Sequence, residues 1–291
     1  MSRTVSSLPR GAKVRFGSYC VGNEGAHSIR WIKVNSADTT MLAEYIEDFR
    51  AFDAREPDSS QEYRRDYGNN RYSVSNIDQF LNSTGDEWYQ PQHDTDAPPT
   101  GELTYDGTPY LNHPGFLAYF SEAEIEAILP TEIVVALPRC DSQDRDYEVI
   151  TRKVFLPSRT NIFGGSVRNT SEGEQWEIFR TGRNTTARPT SEAVDNTTMT
   201  DPPQDDSDNW YYWLRSPDAD YAYYARYVGR GGNGGSADAF HGVIGVRPAL
   251  TINPEILVSD EPDDEGYYNV ILSIVELEDV SEEDFFSILL G

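Results

Sequence analysis

Tyrosine is the residue through which this 291-residue chain would do most of its chemistry, and one stretch concentrates it. Trp210 to Leu250 holds six of the eighteen tyrosines, set among Gly, Ala, Asp and Ser. Rings that supply contact area at small entropic cost, mixed with small residues whose hydrogen bonds adapt, are the chemistry of a binding surface. A catalytic pocket needs instead a base, a nucleophile or a set of metal ligands. The candidates for ligand contact are Tyr221, Tyr223, Tyr224, Arg226, Asn233, Asp238, Phe240 and His241. Aromatic and arginine side chains should dominate the binding energy. Replacing Tyr223 and Tyr224 by Ala is expected to abolish binding and to leave the melting temperature nearly unchanged. The same composition also suits a glycine-rich hairpin with half-buried tyrosines, and at this point both readings stand.

Catalysis finds little support. His27, His93, His113 and His241 lie in loop-like contexts, none at a spacing from Ser or Cys that suggests a dyad, and there is no Gly-x-Ser-x-Gly. With 49 acidic residues, a carboxylate pair at glycosidase spacing is too easily found to carry weight. The glycines from Gly229 to Gly235 lack the Lys-Ser/Thr of a phosphate loop and read as a turn. Asp201 to Asp208 lacks EF-hand spacing and reads as a solvated acidic loop. Cys20 and Cys140 are far apart, with no Cys-x-x-Cys, and read as two free buried thiols. Arg215 and Arg247 sit in apolar-flanked motifs, where a guanidinium braces a loop by bonding carbonyls or a carboxylate. With Trp213 they are assigned to the scaffold. No catalytic residue, metal ligand or cofactor is assigned.

The formal charge, 24 − 49 = −25, excludes a phosphate-binding face for nucleic acid and a polybasic membrane patch. No apolar run approaches the length of a membrane span, so no membrane insertion is expected. Met1 to Arg10 lacks the apolar core of a secretory signal. Synthesis in the cytoplasm is expected, with any outside role reached by another route, such as a virus particle. The sequons at Asn82, Asn169, Asn184 and Asn196 are then idle.

The elements that must position the tyrosines are mostly short strands. Lys13 to Tyr19, Ser28 to Val34 and Thr40 to Ile46 read as strands, the last antiparallel to the second across Asn35 to Asp38. Both faces of Ser28 to Val34 are mostly apolar, so it should be covered on each side. Glu47 to Tyr67 reads as too polar for the core, and Gly68-Asn69-Asn70 as a turn. Ser75 caps a short helix with Ile77, Phe80 and Leu81 inward. Ser121 and Glu124 open a second as a capping box, with Ile125, Ile128 and Leu129 inward and Pro130 as its stop. Residues 87–113 and 159–209 read as long insertions in surface loops, the latter with Trp176 and Phe179 on one short helix. Glu132 to Leu137, Val149 to Leu156, Tyr211 to Leu214, Tyr223 to Val228, Val243 to Ile252 and Tyr267 to Leu277 complete the strands. Ser281 caps a final helix with Phe285, Phe286, Ile288 and Leu289. The sum is an α+β domain of mainly antiparallel sheet, two short helices and long irregular loops.

These residues resemble a known family. Phe16-Gly-Ser-Tyr19, Phe49-Arg-Ala-Phe-Asp53, Tyr67-Gly-Asn-Asn-Arg-Tyr72, Ser75-Asn-Ile77, Phe80-Leu-Asn82, Val154-Phe-Leu-Pro-Ser158, Trp213-Leu-Arg-Ser-Pro217 and Gly245-Val-Arg-Pro-Ala-Leu250 look like a domain of unknown function. That domain is common in phage and prophage proteins and in gut bacteria. The match runs from about Pro9 to Ile252. The family is similar in turn to proteins of the C-type-lectin fold, among them the formylglycine-generating enzymes and the variable proteins diversified by retroelements. In the variable proteins a hypervariable stretch sits on a constant scaffold, and here it would be Asp218 to Ile244. Mutagenesis of AAY codons never yields Lys, Gln, Glu, Met or Trp, and that stretch contains none of the five. Cys20 and Cys140 do not fit the cysteine pair of the formylglycine-generating enzymes, so that activity is not implied. The Glu-Pro-Asn and Trp-Asn-Asp motifs of calcium lectins are absent.

The resemblance implies a C-type-lectin-like domain over residues 1–252, with a strand and short helix in 253–291 packed on it or extending it. It implies a non-enzymatic receptor-binding or adhesion protein of a phage or prophage, in the virion at a tail tip or fibre, or associated with a cell surface. Its partners would be a bacterial cell-surface protein or glycan, other virion proteins, and further copies of the chain as a homo-oligomer, a trimer being the candidate. The alternatives are a carboxylate-dependent glycan-active enzyme on the same fold, or a structural virion protein.

Overall fold

The computed structural model describes residues 3–22, 25–142, 144–182 and 184–272. Two sheets and a separate hairpin carry the chain. The larger sheet has eight strands, in the order Arg3–Thr4, Leu257–Val258, Tyr267–Ile271, Lys13–Tyr19, His27–Lys33, Thr40–Ala43, Ala249–Thr251, Val154–Phe155. The smaller has five, in the order Gly234–Asp238, Tyr224–Val228, Tyr212–Pro217, Gly245–Val246, Asp48–Phe49. Thr131–Ala136 pairs with Tyr147–Arg152 as a two-stranded ribbon. Within these sheets pairing is antiparallel except where Tyr267–Ile271 lies along Lys13–Tyr19 and where Gly245 meets Tyr212. The helices are few and short, so the class is α+β dominated by sheet. No helix among the described residues is long and apolar enough to cross a membrane.

Local chemistry accounts for the elements. Val14 and Phe16 in one strand and Ile29, Trp31 and Ile32 in the next are buried, and the pair is kinked between Arg15 and Ser18. Gly17 sits in the kink at φ 70°, and a Cβ there would lie 2.0 Å from the Phe120 ring, so only glycine fits. Lys33 is buried beside them, and its Nζ donates to the carbonyls of Leu8 at 2.7 Å and Ser6 at 3.1 Å. That covers both faces of the second strand, as its pattern requires. Ser75 caps Asn76–Leu81 by accepting from the Asp78 N–H, with Ile77, Phe80 and Leu81 buried. Ser121 and Glu124 form the capping box of Glu122–Ala127. Ile128 is buried, whereas Ile125 and Leu129 are only partly so.

Four expectations change. First, Glu47 to Tyr67 is not excluded from the core: residues 47–54, Tyr45's neighbour Ile46 and Glu56 are all buried. Its charges are satisfied internally, with Arg50 Nη2 2.8 Å from Asp48 and Asp53 accepting from the N–H groups of Asn69 and Asn76. Polar composition misled because buried charges are tolerated when paired. The same segment also forms a helix, Glu62–Tyr67, closed by Gly68 at φ 80°. Second, the insertion 87–113 is anchored inward: Trp88 and Tyr110 are buried and stacked at 5.4 Å, and the Tyr110 hydroxyl donates to the Ala51 carbonyl. Third, Val243 to Ile252 is not one strand. Pro248 lacks an N–H and breaks the ladder, so Gly245–Val246 belongs to the smaller sheet and Ala249–Thr251 to the larger. Val149 to Leu156 divides likewise, into Tyr147–Arg152 and Val154–Phe155. Fourth, Cys20 is buried but Cys140 is exposed; both are free.

Residues 159–209 are more ordered than expected, with helices Arg159–Phe163, Glu177–Arg180 and Ser191–Asn196; Trp176 immediately precedes the second of them and Phe179 lies within it. The late strand spans Tyr267–Ile271. The helix expected after Ser281 lies outside the described residues. The core lies where the sheets meet: Trp213 packs on Phe52 at 5.6 Å and its Nε1 donates to the Arg50 carbonyl at 2.9 Å.

Candidate functional site

The crossing between the two sheets is held by the scaffold arginines. Arg215 is buried in Tyr212–Pro217 and donates to the carbonyls of Leu156 at 2.9 Å, Glu172 at 2.7 Å and Val134 at 3.2 Å, and to Asn161 Oδ1 at 3.0 Å. Arg247 bridges the sheets where the chain passes from one to the other. Its Nε donates to the Ala43 carbonyl at 2.9 Å and its guanidinium lies 5.0 Å from the Tyr212 ring. Both arginines brace backbone, the role their apolar-flanked motifs suggest.

From this frame the strands Tyr224–Val228 and Gly234–Asp238 project as a hairpin on the edge of the smaller sheet. The loop entering it, residues 218–223, has no ladder of its own and is held from outside. Asn70, fully buried, reaches the carbonyls of Tyr221 at 2.7 Å, Tyr224 at 2.8 Å and Asp218 at 3.3 Å through Nδ2, and its N–H reaches the Ala222 carbonyl. Arg64 adds a bond from Nε to the same Ala222 carbonyl and is itself fixed by Asp141 at 2.8 Å. Gly68 makes the close approach possible, since a Cβ there would meet the Asp53 carbonyl oxygen at 2.7 Å. The exit loop is held in the same manner: Phe240 N–H donates to the Tyr67 carbonyl and Tyr105 N–H to the Phe240 carbonyl.

These ties assemble a continuous aromatic strip. Tyr105 lies 5.5 Å from Phe240, Phe240 5.8 Å from Tyr67, Tyr67 5.2 Å from Tyr223, and Tyr223 4.2 Å from Tyr224. Tyr63 stacks on Tyr223 at 5.1 Å, and Tyr221 sits edge-on to Tyr224 at 5.3 Å. The outermost rings stand in solvent: Tyr63 is 56% exposed, Tyr105 51% and Tyr221 51%. Arg55 stacks on Phe240 at 4.6 Å. At one end His241 Nε2 approaches Asp238 at 3.3 Å. Burial lowers the His241 pKa and raises that of Asp238, so each is biased toward its neutral form.

The eight residues expected to touch ligand separate into three groups. Tyr221, Tyr224 and His241 are exposed or half-buried members of the strip, and Asp238 pairs with Tyr224 across the hairpin. Tyr223 and Phe240 belong to it but are buried, Tyr223 at 9% exposure, so they form its floor rather than free contacts. Burial and the neighbouring Tyr224 push the Tyr223 hydroxyl up. Arg226 lies further along the same strand, paired with Asp218 at 2.9 Å. Asn233 stands apart, in the turn at the far end of the hairpin, about 13 Å of strand from Tyr224. Sequence reasoning missed Tyr63, Tyr67, Tyr105 and Arg55, which come from distant loops. The available signal was Tyr67-Gly-Asn-Asn-Arg-Tyr72, read only as a turn.

Among the described residues no Ser or Cys side chain hydrogen-bonds a histidine; His27 faces Glu47 at 2.9 Å, His93 faces Glu56 at 3.1 Å and His113 faces the Pro114 carbonyl at 2.8 Å. No group of three or more His, Cys, Asp or Glu among them is arranged to hold a metal ion.

The family model described as a domain of unknown function, DUF6273, matches residues 37–254. Its match begins after the strands Lys13–Tyr19 and His27–Lys33, later than Pro9, although both strands pair into the larger sheet. No curated protein and no solved structure matches the chain. With most of its length covered, including the whole of the tyrosine-bearing hairpin, the chain belongs to the DUF6273 family of domains of unknown function.

Proposed function

We propose that this domain is a binding protein that recognises a bacterial surface protein or glycan through the strip from Tyr105 to Tyr221. The observation that carries the reading is the strip itself. Solvent-facing rings from three separate chain segments converge on one surface and are fixed there by backbone clamps. A contiguous patch of exposed rings marks an interaction site where scattered single rings do not, and rigid tyrosines lose little entropy on contact. The frame beneath is stiff, with Asn70 and Arg64 buried and bonded, so the surface is preorganised for its ligand.

The resemblance to C-type-lectin-fold variable proteins extends this reading to a receptor-binding or adhesion protein of a phage or prophage, displayed on a virion or a cell surface. In support, Asp218 to Ile244 covers the entry loop, the hairpin and the exit loop as one projecting unit between the two scaffold motifs. Diversification would be confined to its outward positions, since Ala225, Val228, Ala239 and Ile244 fill the core.

The test is binding of the purified domain to bacterial cells of several species, each untreated, protease-stripped or periodate-oxidised. Saturable binding lost on one treatment supports the reading and names the ligand class. Equal, non-saturable association with all cells contradicts it.

A further inference from the structure

We infer that the Arg226 end of the tyrosine strip is a subsite for the acidic group of a saccharide. The inference rests on the strip being a ligand surface and names the class of ligand. Beyond Tyr224, the same face of the strand presents Arg226, opposite Ser236 on the neighbouring strand. Beside it opens a cavity of about 250 Å³ between Arg159, Phe163, Arg226, Tyr227 and the Gly234–Gly235 backbone. That is smaller than the roughly 300–1,000 Å³ of drug-sized sites and suits one sugar ring or one substituent. Gly234 helps keep it open: a Cβ there would lie 3.3 Å from the Phe163 ring.

Its charge is the unusual feature. Two arginines line the cavity in a chain of net charge −25. Asp218 neutralises one of them, at 2.9 Å from Arg226 Nη2, and leaves Arg226 Nε buried without a hydrogen-bond partner. Arg159 makes no ion pair among the described residues; its Nη1 donates to the Gly164 carbonyl at 3.0 Å. Glu172, whose charge Arg159 feels, is set more strongly against the buried Arg215 guanidinium. One cation therefore remains without a carboxylate of its own, with the Phe163 ring as a wall. Guanidinium against an anion with an aromatic wall against a sugar face is the arrangement an acidic saccharide would meet. A carboxylate and a sulfate ester share that chemistry.

The experiment measures affinity of the whole domain for an oligosaccharide of alternating hexuronate and hexosamine, its carboxyl-reduced counterpart, a sulfated counterpart and polyglutamate. Wild type should prefer an acidic oligosaccharide over the carboxyl-reduced one by about tenfold, one good charge-assisted contact. Whether the uronate or the sulfated form binds tighter assigns the anion. Arg159→Gln should erase the preference while leaving affinity for the neutral form, and Tyr221→Ala should weaken all forms alike. Should Arg159→Gln fail to fold, competition on wild type by free glucuronate against free glucose reads the same subsite, and glucuronate should compete better. Equal affinity of wild type for acidic and reduced oligosaccharides overturns the subsite and leaves the strip standing. No affinity for any saccharide, or polyglutamate binding as tightly as the acidic oligosaccharides, overturns the saccharide assignment.

Discussion

The side chain of Asn70 holds the backbone of Tyr221: Nδ2 donates to the Tyr221 carbonyl at 2.7 Å and reaches the Tyr224 carbonyl at 2.8 Å. One amide from the Tyr67-Gly-Asn-Asn-Arg-Tyr72 stretch thus fixes a loop about 150 residues later in the chain. Asn70→Ala would remove the two N–H groups that the Asp218, Tyr221 and Tyr224 carbonyls share. Stability should fall by about 2 kcal/mol or more, measured by denaturant titration. Hydrogen exchange should quicken around residues 218–225 and stay slow in Lys13–Tyr19. A uniform acceleration would show that Asn70 acts on the whole fold and not on the loop.

The strip has a floor and a surface, and the two respond differently to truncation. Tyr63→Ala and Tyr221→Ala remove exposed rings and should change stability by no more than about 0.5 kcal/mol. Tyr223→Ala empties a site ringed by Tyr63, Tyr67, Tyr221 and Tyr224 and should cost about 2–3 kcal/mol. Burial thus replaces the sequence-based expectation that Tyr223 can be removed without lowering the melting temperature. Thermal unfolding of the three variants decides it, and a Tyr223→Ala protein as stable as wild type would contradict the assignment.

Arg215→Lys tests the frame. A lysine has a single charged centre and cannot reproduce four bonds spread over the carbonyls of Val134, Leu156 and Glu172 and the Asn161 amide. A loss of about 3 kcal/mol is expected by chemical denaturation. A near-neutral result would show that backbone pairing alone holds the smaller sheet.

His93 gives a pH dependence. The Glu56 carboxylate, 3.1 Å away, raises the His93 pKa above its ordinary value. Burial pushes Glu56 up, but His93 and Asn69 outweigh it and hold Glu56 below the usual glutamate value. A raised histidine adds stability that is fully present below its unfolded pKa of about 6.5 and is lost as pH rises through the folded value. A depressed glutamate adds stability above its unfolded pKa of about 4.3 that is lost as pH falls through the folded value. The pair therefore contributes most between these limits. His93→Ala should destabilise by about 1 kcal/mol near pH 5.5, a figure reduced for the partial exposure of the ring, and by less near pH 8.5. Denaturant titrations at the two pH values decide it, and an equal loss at both would assign His93 to contact area alone.

What the sequence revealed follows from how local each cause is. The capping serines Ser75 and Ser121 were legible because a cap is written within four residues. The strands around Trp31 and Trp213 were legible from apolar runs and β-branched or aromatic content. The hairpin was legible as a strand around Tyr223 to Val228 followed by a glycine turn. Tyr63, Tyr67 and Tyr105 were not, because their convergence depends on pairings such as Tyr105 with Phe240 that no local pattern records. The burial of residues 47–54 was hidden for a related reason. Asp48 and Asp53 look solvent-bound until Arg50 and the N–H groups of Asn69 and Asn76 are placed beside them.

The most direct measurement is a hydroxyl-radical footprint of the domain, free and mixed with the bacterial cells it is proposed to bind. Tyr147, 49% exposed on the two-stranded ribbon, is the internal control. Tyr63, Tyr105 and Tyr221 should become protected on binding while Tyr147 labels as before. Protection of Tyr147 with the three strip tyrosines still freely labelled would contradict it.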